Sequence, residues 1–199
     1  MRRAPEAARE EILLAAEAAL QDVDPSALTV ELLMERTGMT RSSFYHYFKS
    51  LDEVAIALFE RIEAEVSGAV DDWLSVDGVV PDADPRAATV EYLTRMFEVW
   101  RRHATLMRAM EHAAGRSGAA YEQWRGRVVD GYIARTADFI RAQVAAGRSR
   151  VSDPEAIASA LILMNVAVAT DQALRDEPAS PEKLGATVGT IWNATLYGN

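Results

Sequence analysis

The ten residues Thr40–Lys49, TRSSFYHYFK, constrain this chain more than any other stretch. Aromatics crowd it (Phe44, Tyr45, Tyr47, Phe48), hydroxyls open it (Thr40, Ser42, Ser43), and Arg41, His46 and Lys49 add positive or titratable groups. At helical spacing Phe44, Phe48 and Leu51 share a face that can be buried, which leaves Arg41, Ser42, Tyr45 and His46 outward. A plain surface helix gains little by exposing that set. A helix laid in a DNA major groove uses it, because Arg and Ser reach base edges while Tyr and Lys reach phosphates. The preceding residues agree. Thr29 is placed to cap a short helix through Arg36, Gly38 sits where a left-handed residue ends it, and Thr40 caps the next helix. Helix, glycine turn and capped helix make the helix-turn-helix layout.

The run Leu28–Val54 resembles the signature of the TetR family of transcriptional regulators, through Thr-Val, Gly-Met-Thr, Phe-Tyr-His-Tyr-Phe and an acidic helix start. The resemblance implies an all-α chain, with a three-helix helix-turn-helix head over residues 1–50 and a helical-bundle body over residues 51–199. The head binds DNA; the body binds ligand and dimerises. It implies base contacts from Arg41, Ser42 and Ser43. Thr29, Thr40, Tyr45, Tyr47 and Lys49 would mostly hold phosphate, and His46 either. One position departs from the family. Members often carry Lys three residues after the last Phe of the run; here that position is Leu51, and Lys49 is the candidate replacement.

Charge qualifies the DNA reading. The chain of 199 residues has a formal net charge of −9, and residues 1–50 carry six Lys/Arg against eight Asp/Glu, a net of −2. Binding then depends on cations aimed at phosphate, with Arg2 and Arg3 as a possible basic arm, and on two copies acting together. Cysteine is absent, which excludes disulfides and thiolate chemistry. The histidines His46, His103 and His112 have no metal-ligand spacing, and no phosphate loop or nucleophile–base set occurs, so neither an enzyme nor a metal or other cofactor is expected. No signal core follows the basic N-terminus. The apolar run Ala156–Ala169 is interrupted by Ser159 and Asn165 and reads as too short for a bilayer, which leaves a cytoplasmic protein with no membrane partner.

Along the chain, residues 5–21 read as an amphipathic helix ended by Asp22-Val23-Asp24-Pro25. Ser50 with Glu53 forms a capping box opening a long helix that can join head to body. Val76–Pro85 reads as a boundary loop and Gly115–Gly118 as a turn. Asp153-Pro154 and Ser180-Pro181 start the last two helices, about residues 154–197. These are small and apolar on most faces, with Gly185 and Gly189 four apart. They read as the interface of a homodimer, a four-helix bundle about a twofold axis.

Beyond the head, Tyr92, Met96, Trp100, Met107, Met110, Trp124, Tyr132 and Trp192 supply aromatic and methionine surface suited to an adaptable apolar pocket, although many must serve as core. Asn165 lies inside the run Leu161–Val168, where a buried amide needs a partner: a ligand, a neighbouring helix or the dimer mate. The runs Ala160–Asn165, Ile191-Trp192 and Leu196–Asn199 are similar to the branch of the family that represses ethionamide activation. That resemblance implies an apolar channel walled by Met96, Trp100, Tyr132, Thr136, Asn165 and Trp192, with the asparagine bonding a ligand carbonyl. The function implied is repression at a pseudo-palindromic operator in double-stranded DNA, relieved by a small apolar ligand. The competing expectation is a helical carrier of small molecules whose head has lost specific DNA binding.

Overall fold

A computed structural model describes residues 5–74, 84–108 and 119–198. The Arg2–Arg3 arm, most of the boundary loop, Met110, His112 and the turn at Gly115–Gly118 lie outside the described residues, as does the side chain of Trp124. The described elements are α1 (Pro5–Asp22), a 3-10 turn (Pro25–Ala27), α2 (Val30–Thr37), α3 (Arg41–Tyr47), α4 (Leu51–Leu74), α5 (Pro85–Arg102), a helical stretch at 104–108, α6 (Ala119–Ala145), α7 (Pro154–Ala173) and α8 (Pro181–Tyr197). No strand occurs among the described residues. The chain divides into two compact units. One comprises Met1–Glu63 with His103–Trp124, the other Ala64–Arg102 with Arg125–Asn199.

In the first unit α1, which leaves its apolar Ala7 exposed and Ala15 half-buried, buries Ala8, Ile12, Leu13, Ala16, Ala19 and Leu20. Leu33 and Met34 from α2, and Phe44 and Phe48 at α3, are buried with them. The caps fall where side-chain chemistry requires. Thr29 Oγ1 accepts from the Leu32 N–H at 3.1 Å and Thr40 Oγ1 from the Ser43 N–H at 3.2 Å. Gly38 takes φ +63°, a left-handed conformation in which glycine has no Cβ to clash, and so turns the chain between α2 and α3. α3 is shorter than its aromatic spacing suggests. Phe48 is extended and Leu51 begins α4, so Leu51 is half-buried on another helix rather than third on the α3 face. Ser50 Oγ accepts from Glu53 N–H at 3.3 Å, while the Glu53 carboxylate accepts from Lys49 N–H. The capping box forms with its return bond one residue early.

Among the described residues of the second unit the most extensive helix contact joins α5 and α8. Gly185 and Gly189 make it possible. A Cβ at Gly185 would stand 2.1 Å from Thr94 Oγ1 and 2.8 Å from Thr94 N; one at Gly189 would stand 2.7 Å from a Val90 methyl. The pair closes α8 onto α5 of its own chain. α7 starts from Asp153, whose Oδ1 accepts from Ala156 N–H at 3.0 Å, and α8 from Ser180, whose Oγ accepts from Lys183 N–H at 3.3 Å.

α7 runs 20 residues, longer than its uninterrupted apolar core, so by length and composition alone it meets the requirement for crossing a bilayer. Helix length therefore does not exclude a membrane as the apolar run suggested. Its inner side is nonetheless packed, with Ala158, Leu161, Ile162, Asn165, Ala169 and Ala173 buried.

Candidate functional site

The outward face of α3 carries most of the residues expected to touch DNA. Arg41, Ser42, Tyr45, His46 and Lys49 are exposed, with Tyr45 49 % accessible, and so are the caps Thr29 and Thr40. Ser43 and Tyr47 are only partly exposed. The Ser43 hydroxyl lies 2.9 Å from Thr40 Oγ1, so it shares the capping arrangement instead of standing free. The rigid base of this surface is aromatic. Phe44 meets Tyr45 edge-on at 5.3 Å and Phe48 at 6.0 Å, and the Arg9 guanidinium lies 5.0 Å from the Phe48 ring centre.

Arg41 is held from two sides. Nη1 donates to the Glu31 carboxylate, on α2, and Nη2 donates to Tyr45 Oη at 3.5 Å, with the guanidinium carbon 5.8 Å from the Tyr45 ring centre. The Tyr45 hydrogen bond foremost, then the Glu31 charge, raises the affinity of Arg41 for its proton. Glu31 was not anticipated from sequence, although an acid at the start of α2, ten residues before Arg41, was a signal available there.

The second unit contains a small apolar cavity lined by Tyr92, Met96, Trp100, Tyr132, Ile162, Asn165 and Val166. Four helices contribute: α5, α6 and α7 line it, and α8 supports it through Trp192. Asn165 is buried and uses its two ends differently. Its Oδ1 accepts from Trp192 Nε1 at 3.1 Å, which ties α7 to α8, while Nδ2 faces Met96 Sδ at 3.9 Å. A thioether is a weak acceptor, so the amide N–H groups retain donor capacity toward the cavity. Tyr92 packs edge-on to Trp192 at 6.3 Å, and burial, with the neighbouring Tyr132, pushes its phenol well above the ordinary tyrosine range. Arg135 stacks over Tyr132 at 4.9 Å and donates to Ser67 Oγ at 3.1 Å.

Of the residues expected to bind ligand, Tyr92, Met96, Trp100, Tyr132 and Asn165 line the cavity. Trp192 and Thr136 are buried in the same unit without lining it. Met107 is buried in the other unit. Ile162 and Val166 were missed. Ile162 was readable from Asn165, as its i−3 neighbour on α7, and Val166 in turn from Ile162, four residues on. Among the described residues no group of three His, Cys, Asp or Glu is placed to hold a metal.

Two family models match the sequence in separate stretches. Residues 12–58 match "Bacterial regulatory proteins, tetR family", and residues 90–198, more than half of the chain, match "Transcriptional regulator EthR, C-terminal domain". The chain belongs to the TetR family, with an EthR-type C-terminal domain. It is accordingly a DNA-binding transcriptional regulator, not an enzyme. The transcriptional regulator EthR of Mycolicibacterium smegmatis is 28 % identical over 193 residues, covering 94 % of this chain and 85 % of that protein. EthR of Mycobacterium tuberculosis is 28 % identical over 189 residues, covering 94 % and 86 %. Solved structures share the fold of this TetR-family regulator. The triclosan complex of SmeT, a Stenotrophomonas maltophilia repressor, has a TM-score of 0.68 at 22 % identity over 94 % of this chain and 90 % of that one. FadR of Bacillus subtilis with stearoyl-CoA has a TM-score of 0.72 at 15 % identity, covering 96 % and 98 %.

Proposed function

We propose that this regulator is a cytoplasmic, homodimeric repressor that occupies a pseudo-palindromic operator and leaves it when a small apolar ligand enters the second unit. Residues 1–50 carry the DNA contacts and residues 51–199 the ligand and dimer contacts. The observation that carries the reading is α3 itself. Its Phe44 is fully buried, so the helix is fixed in rotation, and that fixed rotation turns Arg41, Ser42, Tyr45 and His46 to solvent together. A fixed, outward set of this composition suits a major groove, with Arg41 and Ser42 on base edges and Thr29, Thr40, Tyr45 and Lys49 on phosphate.

The cavity supports the ligand step. It offers about 30 Å³, room for about two waters, whereas sites for drug-sized molecules occupy roughly 300–1,000 Å³. A ligand of that size must part α5, α6 and α7, and it therefore favours a wider body. Its effect on DNA is limited to its difference in affinity between the two body shapes. Two proteins of the same fold are known with ligands bound, SmeT with triclosan and FadR with stearoyl-CoA. The Asn165 amide donor suits a carbonyl or ether oxygen on an otherwise apolar molecule. Dimerisation is supported by the outer faces of α7 and α8, where Leu163 is 48 % and Ile191 45 % exposed beside exposed Ala160, Ala167 and Ala194. Small and apolar residues on adjacent exposed helices favour packing against a second copy.

The test is a mobility-shift titration of the purified protein on the DNA upstream of its own gene, across salt, with excess non-specific competitor. The expected result is a discrete complex that weakens steeply with salt and is lost in the Arg41→Ala, Tyr45→Ala double variant. Absence of any specific complex, there and in a selection of bound genomic fragments, would overturn the reading in favour of a ligand carrier.

A further inference from the structure

Glu31 is an acid on the surface that should meet a polyanion. It is exposed, on the first turn of α2, and its carboxylate takes one end of the Arg41 fork while Tyr45 Oη, 3.5 Å away, takes the other. The two anchors come from different helices, so together they favour one position and one plane of the guanidinium. Stability does not explain the arrangement: Arg41 and Glu31 are 65 % and 64 % accessible, and ion pairs so exposed contribute little to folding. Two consequences for DNA are larger. A flexible arginine loses rotamer freedom when it binds, and one already held in place loses less. An unopposed arginine also binds any phosphate, whereas one beside a carboxylate has that attraction offset and is repaid only where planar acceptors match its remaining N–H donors, as guanine O6 and N7 do.

We propose that Glu31 is a positioning residue that makes Arg41 a reader of bases rather than a clamp for phosphate. The inference rests on α3 being the DNA-reading helix. It also gives the acidic balance of the head a use, because one of its eight acids raises selectivity by weakening indiscriminate attraction.

The experiment takes the full-length protein, the tightest duplex it selects from a random pool, and a scrambled duplex of the same composition. Affinity for both is measured across salt for wild type, Glu31→Gln, Glu31→Asp, Arg41→Ala and the Glu31→Gln, Arg41→Ala double variant. The expected results for Glu31→Gln are tighter binding to the scrambled duplex, a salt slope steeper by about 0.9 for each phosphate gained, and a specific-to-non-specific ratio lower by roughly tenfold. Glu31→Asp, which keeps the charge and shortens the reach, should also lose selectivity. In the Arg41→Ala background the Glu31→Gln change should have no effect on the ratio. The proposal is overturned if Glu31→Gln shifts both duplexes by the same factor, if Glu31→Asp keeps the wild-type ratio, or if the effect persists without Arg41. Failure of the underlying reading would look different: wild type would select no duplex, or Arg41→Ala would leave its preferred sequence unchanged.

Discussion

At the scale of single residues, the exposed polar set and the buried polar set make opposite predictions. Arg41→Ala removes an exposed side chain, so folding should be nearly unaffected. If Arg41 makes a two-bond guanine contact, specificity should relax at one base position at a cost of about 1–3 kcal/mol. Binding profiles over single-base variants of the operator measure this, and an unchanged profile would remove Arg41 from the base-reading set. Asn165→Ala should act the other way round. It strips the acceptor from Trp192 Nε1, which is 3.1 Å from Asn165 Oδ1 in a fully buried ring. An orphaned buried donor costs about 1–3 kcal/mol, read as a lower midpoint in denaturant with an unchanged slope. The sequence made both residues conspicuous for the same reason, a polar group out of keeping with its surroundings. It left open which partner Asn165 takes, because that depends on how α7 and α8 meet, and they are joined in space by residues 27 apart in the chain. The partner of Arg41 was hidden likewise, since periodicity within α3 says nothing about what α2 presents to it.

At the scale of helices, boundaries were legible where side chains cap the backbone. Thr29, Thr40, Ser50, Asp153 and Ser180 all sit at helix starts with their oxygens on the expected N–H groups. The break between α3 and α4 was harder to see, because aromatic spacing continues up to it and only residues 48–50 leave helical geometry. Glycines show why composition alone misleads. Gly185 and Gly131 are both helical, but Gly185 faces Thr94 backbone atoms within 3 Å and Gly131 faces open space. Gly185→Ala should therefore destabilise by about 1–3 kcal/mol, since α5 and α8 must move apart. Gly131→Ala should stabilise by about 0.5–1 kcal/mol, since alanine restricts the unfolded chain and fits the helix. Thermal unfolding separates them, at roughly 2–4 °C per kcal/mol for a chain of this size. Equal shifts in the same direction would mean that the α5–α8 approach is not set by the glycine.

At the scale of the whole molecule, operator binding and ligand binding should depend differently on the second copy. The cavity is lined by residues of one chain, whereas the proposed pseudo-palindrome would be read by two α3 helices whose contributions combine only when they are joined. Leu163→Glu with Ile191→Glu places a carboxylate on each of the exposed outer faces of α7 and α8 without touching a buried side chain. Each protomer should keep its fold, because both positions are already in water. Two copies, however, would have to bring four carboxylates into an apolar contact, and unpaired charges are costly to desolvate there. Sedimentation should show a monomer, and circular dichroism an unchanged helical content. Operator affinity should fall by more than about a hundredfold, toward the level of a half-site, as the avidity of the linked heads is lost. Binding of a small apolar probe, followed by Trp fluorescence, should survive within a few-fold. A variant that stays dimeric would place the interface elsewhere on the chain. A monomer that loses the probe along with the operator would mean that the second copy completes the cavity, and ligand and DNA would then be coupled through the interface itself.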